Sequence, residues 1–253
     1  MLKGKRILVA GAGGLLGCKL CVDVLSAGAH IVAVDINLAA MNERLQQHGI
    51  APDDTRVARV SLDLSDSLSV EKILCSLTDL DGAVNCTYPR NKRYGAKFQD
   101  VTLADFNENV SLHLGSSFLF MQQCAKYFIG SQRPFSLVNI SSIYGVVAPK
   151  FEVYENTEMT MPVEYAAIKA AILHLSKYVA AFVSDSRFRS NCVSPGGIKD
   201  SQPEAFLNRY RSHCLGKGML DIGDVVGAVI FLLSEYSLYI NGQNLVVDDG
   251  FSI

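Results

Sequence analysis

No surplus of charge of either sign marks this chain. Its 23 Lys and Arg stand against 25 Asp and Glu, a formal net charge of −2 at pH 7. A general nucleic-acid binder carries a basic excess, so no nucleic-acid partner is expected. Apolar runs of bilayer length are missing too. "VVGAVIFLL" (Val225–Leu233) is about half of the roughly 20 residues a membrane span requires. The amino terminus opens on a strand-like segment without a secretory signal, so a soluble, cytoplasmic protein without a membrane partner is the expectation. A disulfide framework is also lacking, since the seven cysteines are odd in number and scattered. Only Cys18 and Cys21 have Cys-x-x-Cys spacing, with no second pair and no histidine nearby in sequence. They read as two small apolar residues sharing a helix face rather than as a redox motif or half a metal site, and no metal is expected. Repeats, low-complexity tracts and linkers are absent, which leaves residues 1–253 as one domain. With 49% hydrophobic and 19% charged residues, its composition is globular and its length supports a sizeable core.

What is present is an alternation. Near-continuous apolar runs at Lys5–Ala10, His30–Asp35, Arg56–Asp63, Gly82–Cys86, Phe135–Ser141, Arg189–Pro195 and Gln243–Asp248 read as strands covered on both faces. Between them lie stretches of helical period: Leu15–Gly28, Leu38–His48, Ser67–Leu77, Thr102–Phe128, Val163–Ser184 and Ile222–Ser234. This pattern predicts an α/β fold: a Rossmann-type, doubly wound parallel sheet of about seven strands with helices on both faces. Two long connections, Thr87–Val101 and Gly145–Glu164, each follow a strand at its carboxyl end, where open α/β sheets bind ligands.

The first strand-to-helix turn, "GAGGLLG", places Gly11, Gly13, Gly14 and Gly17 with Leu15 and Leu16 at a helix amino terminus. Unpaired N–H groups there attract a pyrophosphate, and glycine lets the backbone approach it. Asp35 ends the second strand, where a carboxylate accepts hydrogen bonds from the adenosine ribose and repels a 2′-phosphate. No Arg or Lys lies in Ala10–Gly17 or directly after Asp35, so NAD is favoured over NADP. Asp63, followed by Leu64, is a candidate partner for the adenine amino group. Its position suits a helix cap or a surface charge equally well.

Further along, "SSIYG" (Ser141–Gly145) ends a strand and "YAAIK" (Tyr165–Lys169) opens a helix. Tyr165 and Lys169, at i and i+4, share one face. An ammonium beside a phenol favours phenolate, which makes Tyr165 a general acid/base, and Ser142 can hydrogen-bond a substrate carbonyl or alkoxide. In this order the motifs resemble the short-chain dehydrogenase/reductase family, over nearly the whole chain. "NCVSPGGI" (Asn191–Ile198) and "YINGQNLVVDDG" (Tyr239–Gly250) are similar to its Pro-Gly segment and last strand. The resemblance implies that Pro195, Gly196 and Ile198 border the nicotinamide and that Lys169 also holds the nicotinamide ribose. It further implies a homo-oligomer, dimer or tetramer, packed through Thr102–Phe128 and Val163–Ser184.

Four departures stand out. Gly11, Gly14 and Gly17 have the spacing of the extended branch, the nucleotide-sugar epimerases and dehydratases, with Leu15 where the short branch has its middle glycine. The family's Asn-Asn-Ala-Gly is here "NCTY", keeping only Asn85. The active-site Asn aligns with His113, which is either a core histidine bonded to a backbone carbonyl or part of a water relay. Asn109, one turn earlier, offers a substitute amide. Finally, Ser142 and Tyr165 are further apart than usual. The extra length, "PKFEVYENTEMTMPVE", is expected to wall or lid the substrate, although Glu152, Glu155, Glu158 and Glu164 also fit simple solvated charge. Arg90, Lys92 and Arg93 lie after the fourth strand, either binding an anionic group of the substrate or forming an unliganded basic surface. Tyr144 joins Arg90 as a substrate-side candidate.

The insert also looks like that of a narrower group associated with flagellin glycosylation and surface-sugar biosynthesis. The expected function is an NAD(H)-dependent oxidoreductase interconverting a secondary alcohol and a ketone on a small, anionic, carbohydrate-derived molecule. Two alternatives stand beside it. An extended-branch-like epimerase or dehydratase would need a substrate lobe for which little chain remains after Ile198. A non-catalytic dinucleotide sensor would have no need of the Ser142, Tyr165 and Lys169 set.

Overall fold

A computed structural model describes residues 1–253. Seven strands form one all-parallel sheet: β1 (Arg6–Ala10), β2 (His30–Asp35), β3 (Val57–Ser61), β4 (Gly82–Asn85), β5 (Phe135–Ile140), β6 (Phe188–Pro195) and β7 (Asn244–Val247). Their order is β3-β2-β1-β4-β5-β6-β7. The chain winds outward one way from β1 and then the other way from β4, so the switch point lies between those two strands. Register pairs Ala10 with Asn85, Asn85 with Asn139 and Asn139 with Cys192. The turns after β1, β4, β5 and β6 therefore open at one edge of the sheet.

Helices cover both faces. Here α1 (Leu15–Ser26), α2 (Leu38–Gln47) and the late helix α8 (Ile222–Leu233) bury Cys18, Leu20, Cys21, Met41, Val225 and Val229 against one face. On the other face α3 (Ser67–Ser76), α5 (Ser116–Ser131) and α6 (Val163–Val183) pack Val70, Phe120, Phe128, Ile168 and Ile172. Length and composition alone would let α6 cross a membrane, yet it lies along the sheet and contributes to this core. Arg189 on β6 is buried without a carboxylate. Its guanidinium donates to the carbonyls of Leu232, Ser234 and Ser237, closing the carboxyl end of α8.

The sheet and its helices follow the sequence pattern, with three differences. The stretch expected as one helix, Thr102–Phe128, is α4 (Leu103–Asn109), a π-helical turn over Val110–Gly115, and then α5. An additional helix, α7 (Glu204–Arg211), turns Phe206 and Tyr210 inward. The long insert contains a 3-10 turn, Phe151–Tyr154, which packs on α7. Together Ile143, Tyr144, Val153, Phe206, Tyr210, Met219 and Phe251 make a third, smaller core above the carboxyl edge of the sheet. The insert is thus a wall with its own buried anchor, Val153, rather than a loose loop.

Candidate active site

Two adjoining cavities occupy the carboxyl edge. The first, of about 820 Å³, is lined by Gly11, Gly14, Leu15, Leu16 and Gly17 on one side and Asp35, Asp63 and Leu64 on the other. Helix α1 begins at Leu15 with no side chain capping it, leaving its first N–H groups for a ligand. Glycine is required where the cradle folds on itself. Gly11 sits at φ +80°, and a Cβ at Gly17 would lie 2.1 Å from the Gly11 carbonyl oxygen. Gly13 plays a different part. Its N–H donates to Asp35 Oδ2 at 2.9 Å, and a Cβ there would meet the same oxygen at 2.9 Å. The other Asp35 oxygen accepts the Asn37 N–H at 3.0 Å. Asp63 lines the cavity while its Oδ1 holds the Ser65 N–H and hydroxyl at 2.8 and 2.7 Å; the cap of α3 is Asp66, so the helix-cap reading of Asp63 falls and its cavity position stands. Asn85 lies behind this wall, with its Oδ1 accepting from the Thr87 N–H and hydroxyl and its Nδ2 reaching Ser117. Arg44 was not foreseen from the sequence. From α2 it reaches the cavity and donates to the Gly13 carbonyl at 2.9 Å. A dinucleotide fits these residues: glycine backbone for the pyrophosphate, carboxylates for ribose and base.

The second cavity, of about 600 Å³, brings together Ser142, Tyr144, Tyr165 and Lys169 with Pro195, Gly196 and Ile198. It shares Leu16, Cys86, Thr87, Tyr88 and Arg90 with the first, so the two are continuous. The turn after β5 is jammed against α6. Ser141 Oγ donates to the Lys169 carbonyl at 2.8 Å, and a Cβ on Gly145 would lie 2.7 Å from the Lys169 carbonyl carbon. Lys169 Nζ donates to the Ile140 carbonyl at 2.9 Å and lies 5.5 Å from the Tyr165 ring centre. Ser142 Oγ accepts the Tyr144 N–H at 3.2 Å. Burial pushes the Tyr165 phenol up, with the Ser142 hydroxyl pulling the other way, and burial brings Lys169 down to about 8. The expected lowering of the phenol by its ammonium neighbour is not seen: burial raises it and the one opposing contribution comes from Ser142.

His113, buried in the π-helical turn, leaves Nε2 without a hydrogen-bond partner, so that atom is not closed on a backbone carbonyl. Burial first, and the Lys169 charge second, push its imidazole down to about 2. Asn109 is turned elsewhere: Nδ2 donates to Glu164 Oε1 at 3.1 Å and Oδ1 accepts the Asn91 N–H at 2.9 Å. Glu164 is itself buried, with Oε2 unpartnered, which overturns the solvated-charge reading for this residue. Glu152, Glu155 and Glu158 are exposed, as that reading expects.

Tyr88 is the residue whose importance the sequence concealed. Its ring meets His113 at 5.2 Å and Tyr165 at 5.6 Å between centroids, both edge-on, and its hydroxyl bonds that of Tyr94. The Arg90 guanidinium lies 5.1 Å over it, at the junction of the two cavities. Of the other basic residues, Arg93 pairs with Asp105 at 3.0 Å and Lys92 is exposed away from the lining. Tyr144 faces Tyr154 with 3.2 Å between hydroxyls. Cys18 and Cys21 are buried free thiols on α1, facing the core.

Comparison with known proteins places this geometry in context. A family profile described as enoyl-(acyl carrier protein) reductase matches residues 16–252. The chain is 38% identical to the post-translational flagellin modification protein A of Campylobacter coli, over 100% of both chains. It is 26% identical to the 7alpha-hydroxysteroid dehydrogenase of Bacteroides fragilis, over 99% of this chain and 95% of that one. Among solved structures, a short chain dehydrogenase from Leptospira borgpetersenii with bound NAD+ superposes with a TM-score of 0.87. It is 29% identical, over 100% of this chain and 94% of that chain.

Proposed function

The chain belongs to the short-chain dehydrogenase/reductase family, and from that premise we propose an NAD(H)-dependent dehydrogenase/reductase that interconverts a secondary alcohol and a ketone on a sugar or sugar-phosphate-derived substrate. One observation carries this reading: a glycine cradle with its ribose carboxylate opens directly into the cavity where Ser142, Tyr165 and Lys169 converge. When bound, the dinucleotide supplies a hydride acceptor or donor. The chain's own residues do the rest. In the oxidative direction Tyr165 would take the hydroxyl proton, Ser142 would orient the oxygen, and the Lys169 ammonium on the same helix face would favour the phenolate. His113, held neutral beside Lys169, is assigned to orienting a water that carries the proton onward.

The carbohydrate assignment draws on similarity to the flagellin-modifying relative and on the lining, where tyrosine hydroxyls of Tyr144 and Tyr154 and the Arg90 guanidinium offer partners for hydroxyls and a phosphate. Seven free thiols suit a reducing, cytoplasmic setting. A homo-oligomer packed through α5 and α6 completes the proposal.

The test is a screen of sugar phosphates and nucleotide sugars for NADH absorbance. Tyr165→Phe should cost about 10²–10⁴-fold in kcat, the usual worth of general acid–base catalysis. Full turnover in that variant, or no NAD reduction with any sugar-derived alcohol, would leave the non-catalytic sensor as the better reading. Arg90→Ala should raise KM for phosphorylated substrates selectively. Equal constants for phosphorylated and unphosphorylated ones would remove Arg90 from anion binding.

A further inference from the structure

The glycine turn and the residue after Asp35 hold no basic side chain, yet folding delivers one. Arg44, in the last turn of α2, donates through an NH group to the Gly13 carbonyl at 2.9 Å, while the Gly13 N–H donates to Asp35 Oδ2, also at 2.9 Å. One glycine residue therefore separates a guanidinium from the carboxylate that meets the adenosine ribose. Both side chains line the dinucleotide cavity. The glycine is part of the arrangement, because a Cβ at this position would lie 2.9 Å from Asp35 Oδ2 and 3.2 Å from Met41 Cβ. The two Asp35 oxygens each accept a backbone N–H, from Gly13 and Asn37. Arg44 has no carboxylate within 4.0 Å, and the Gly13 carbonyl is the one acceptor its side chain uses. An arginine brings five N–H donors in a fork that matches phosphate, so most of its donor capacity is uncommitted.

We propose that Arg44 is a latent 2′-phosphate ligand, and that this chain's choice of NAD over NADP rests on the Asp35 carboxylate alone rather than on any lack of positive charge. The inference rests on the dinucleotide reading of the cavity given above. With Asp35 ionised, a 2′-phosphate meets like charge at the ribose and is refused. With that charge removed, the guanidinium one glycine away is positioned to pair with the phosphate. Arg44 is thus a specificity residue whose effect the carboxylate masks.

Equilibrium titration of NADH and NADPH, followed by cofactor fluorescence, tests this without any substrate. Asp35→Asn keeps an oxygen for the Gly13 N–H and removes the charge. It should gain NADPH affinity by at least about tenfold, the worth of one charge-assisted contact. The double variant Asp35→Asn with Arg44→Ala should lose that gain, and Arg44→Lys in the same background should keep part of it. Asp35→Ser repeats the comparison with a hydroxyl acceptor, in case the amide disturbs the turn. NADPH affinity equal in Asp35→Asn with and without Arg44 overturns the proposal, as does no gain in either Asp35 variant while NADH still binds. A wild-type protein that binds neither dinucleotide would instead sink the functional reading beneath it.

Discussion

Buried beside Lys169, the His113 imidazole is pushed down to about 2, whereas in the unfolded chain it titrates near its ordinary value of 6.5. Below that value the unfolded state binds a proton that the folded state refuses, so stability falls as pH falls through 6.5. At about 1.4 kcal/mol per pH unit the loss reaches about 2 kcal/mol by pH 5. That window lies above the carboxylates tied to arginine, since Asp54 and Asp185 are held at about 2. Urea midpoints at pH 7.5 and pH 5 should therefore differ less in His113→Asn than in the wild type, and equal slopes would mean that the imidazole is protonated in the fold. Glycines divide on the same residue scale. Gly17→Ala forces a Cβ to 2.1 Å from the Gly11 carbonyl oxygen and should destabilise the chain by about 2 kcal/mol or more while abolishing NADH binding. Gly227→Ala, in the middle of α8 with nothing within 4 Å, should stabilise by about 0.5–1 kcal/mol. Thermal unfolding of the two variants reads both signs.

Elements decide what a sequence discloses. The strands of a sheet covered on both faces are short apolar runs bounded by turns, so all seven were legible, as was the glycine turn that must follow β1. Tyr165 and Lys169 were legible because helical spacing alone puts them on one face. The π-helical turn was not, because an extra residue in one turn leaves no compositional mark, and it is that turn which carries the buried His113, directly after the buried Asn109 that ends α4. Arg44 and Glu164 were invisible for a related reason: their roles are set by partners distant in the chain, Gly13 and Asn109. Helix α7 did leave a mark, aromatic residues at i and i+4 behind a proline, but it is short enough to pass for a loop. The Asn109–Glu164 contact joins the end of α4 to the start of α6, and Asn91 extends it to the Arg90 loop. Glu164→Ala should cost about 1–3 kcal/mol, because it removes the buried acceptor of Asn109 Nδ2 and leaves that group only its longer bond to Asn91 Oδ1 at 3.3 Å. Glu164→Gln retains the acceptor and removes a buried charge with one unpartnered oxygen, and should fall within about 1 kcal/mol of the wild type. Denaturant unfolding of the pair separates hydrogen bond from charge. Equal losses would assign the effect to the charge.

Considered as a whole molecule, the protein spends the two faces of α6 differently. One face carries Ile168 and Ile172 into the core and Lys169 into the active site, while Tyr178 and Phe182 are left 64% and 66% exposed, their rings stacked at 6.5 Å. On the neighbouring α5, Phe118 and Ile129 are also about half exposed. Monomers seldom present large apolar side chains together on two packed helices, and in the proposed homo-oligomer a second copy of the same surface would cover them by two-fold symmetry. Such an interface would press directly on the back of the helix that holds Tyr165, so assembly and catalytic geometry are expected to fail together. Phe182→Asp places a charge in the middle of the contact and should yield a smaller species in sedimentation velocity, with a lower Tm and a reduced kcat. Leu68→Asp, which charges an equally exposed position on α3, should change none of these. Should the wild type sediment as a monomer, or should Phe182→Asp retain its size, these exposed rings would need a different partner.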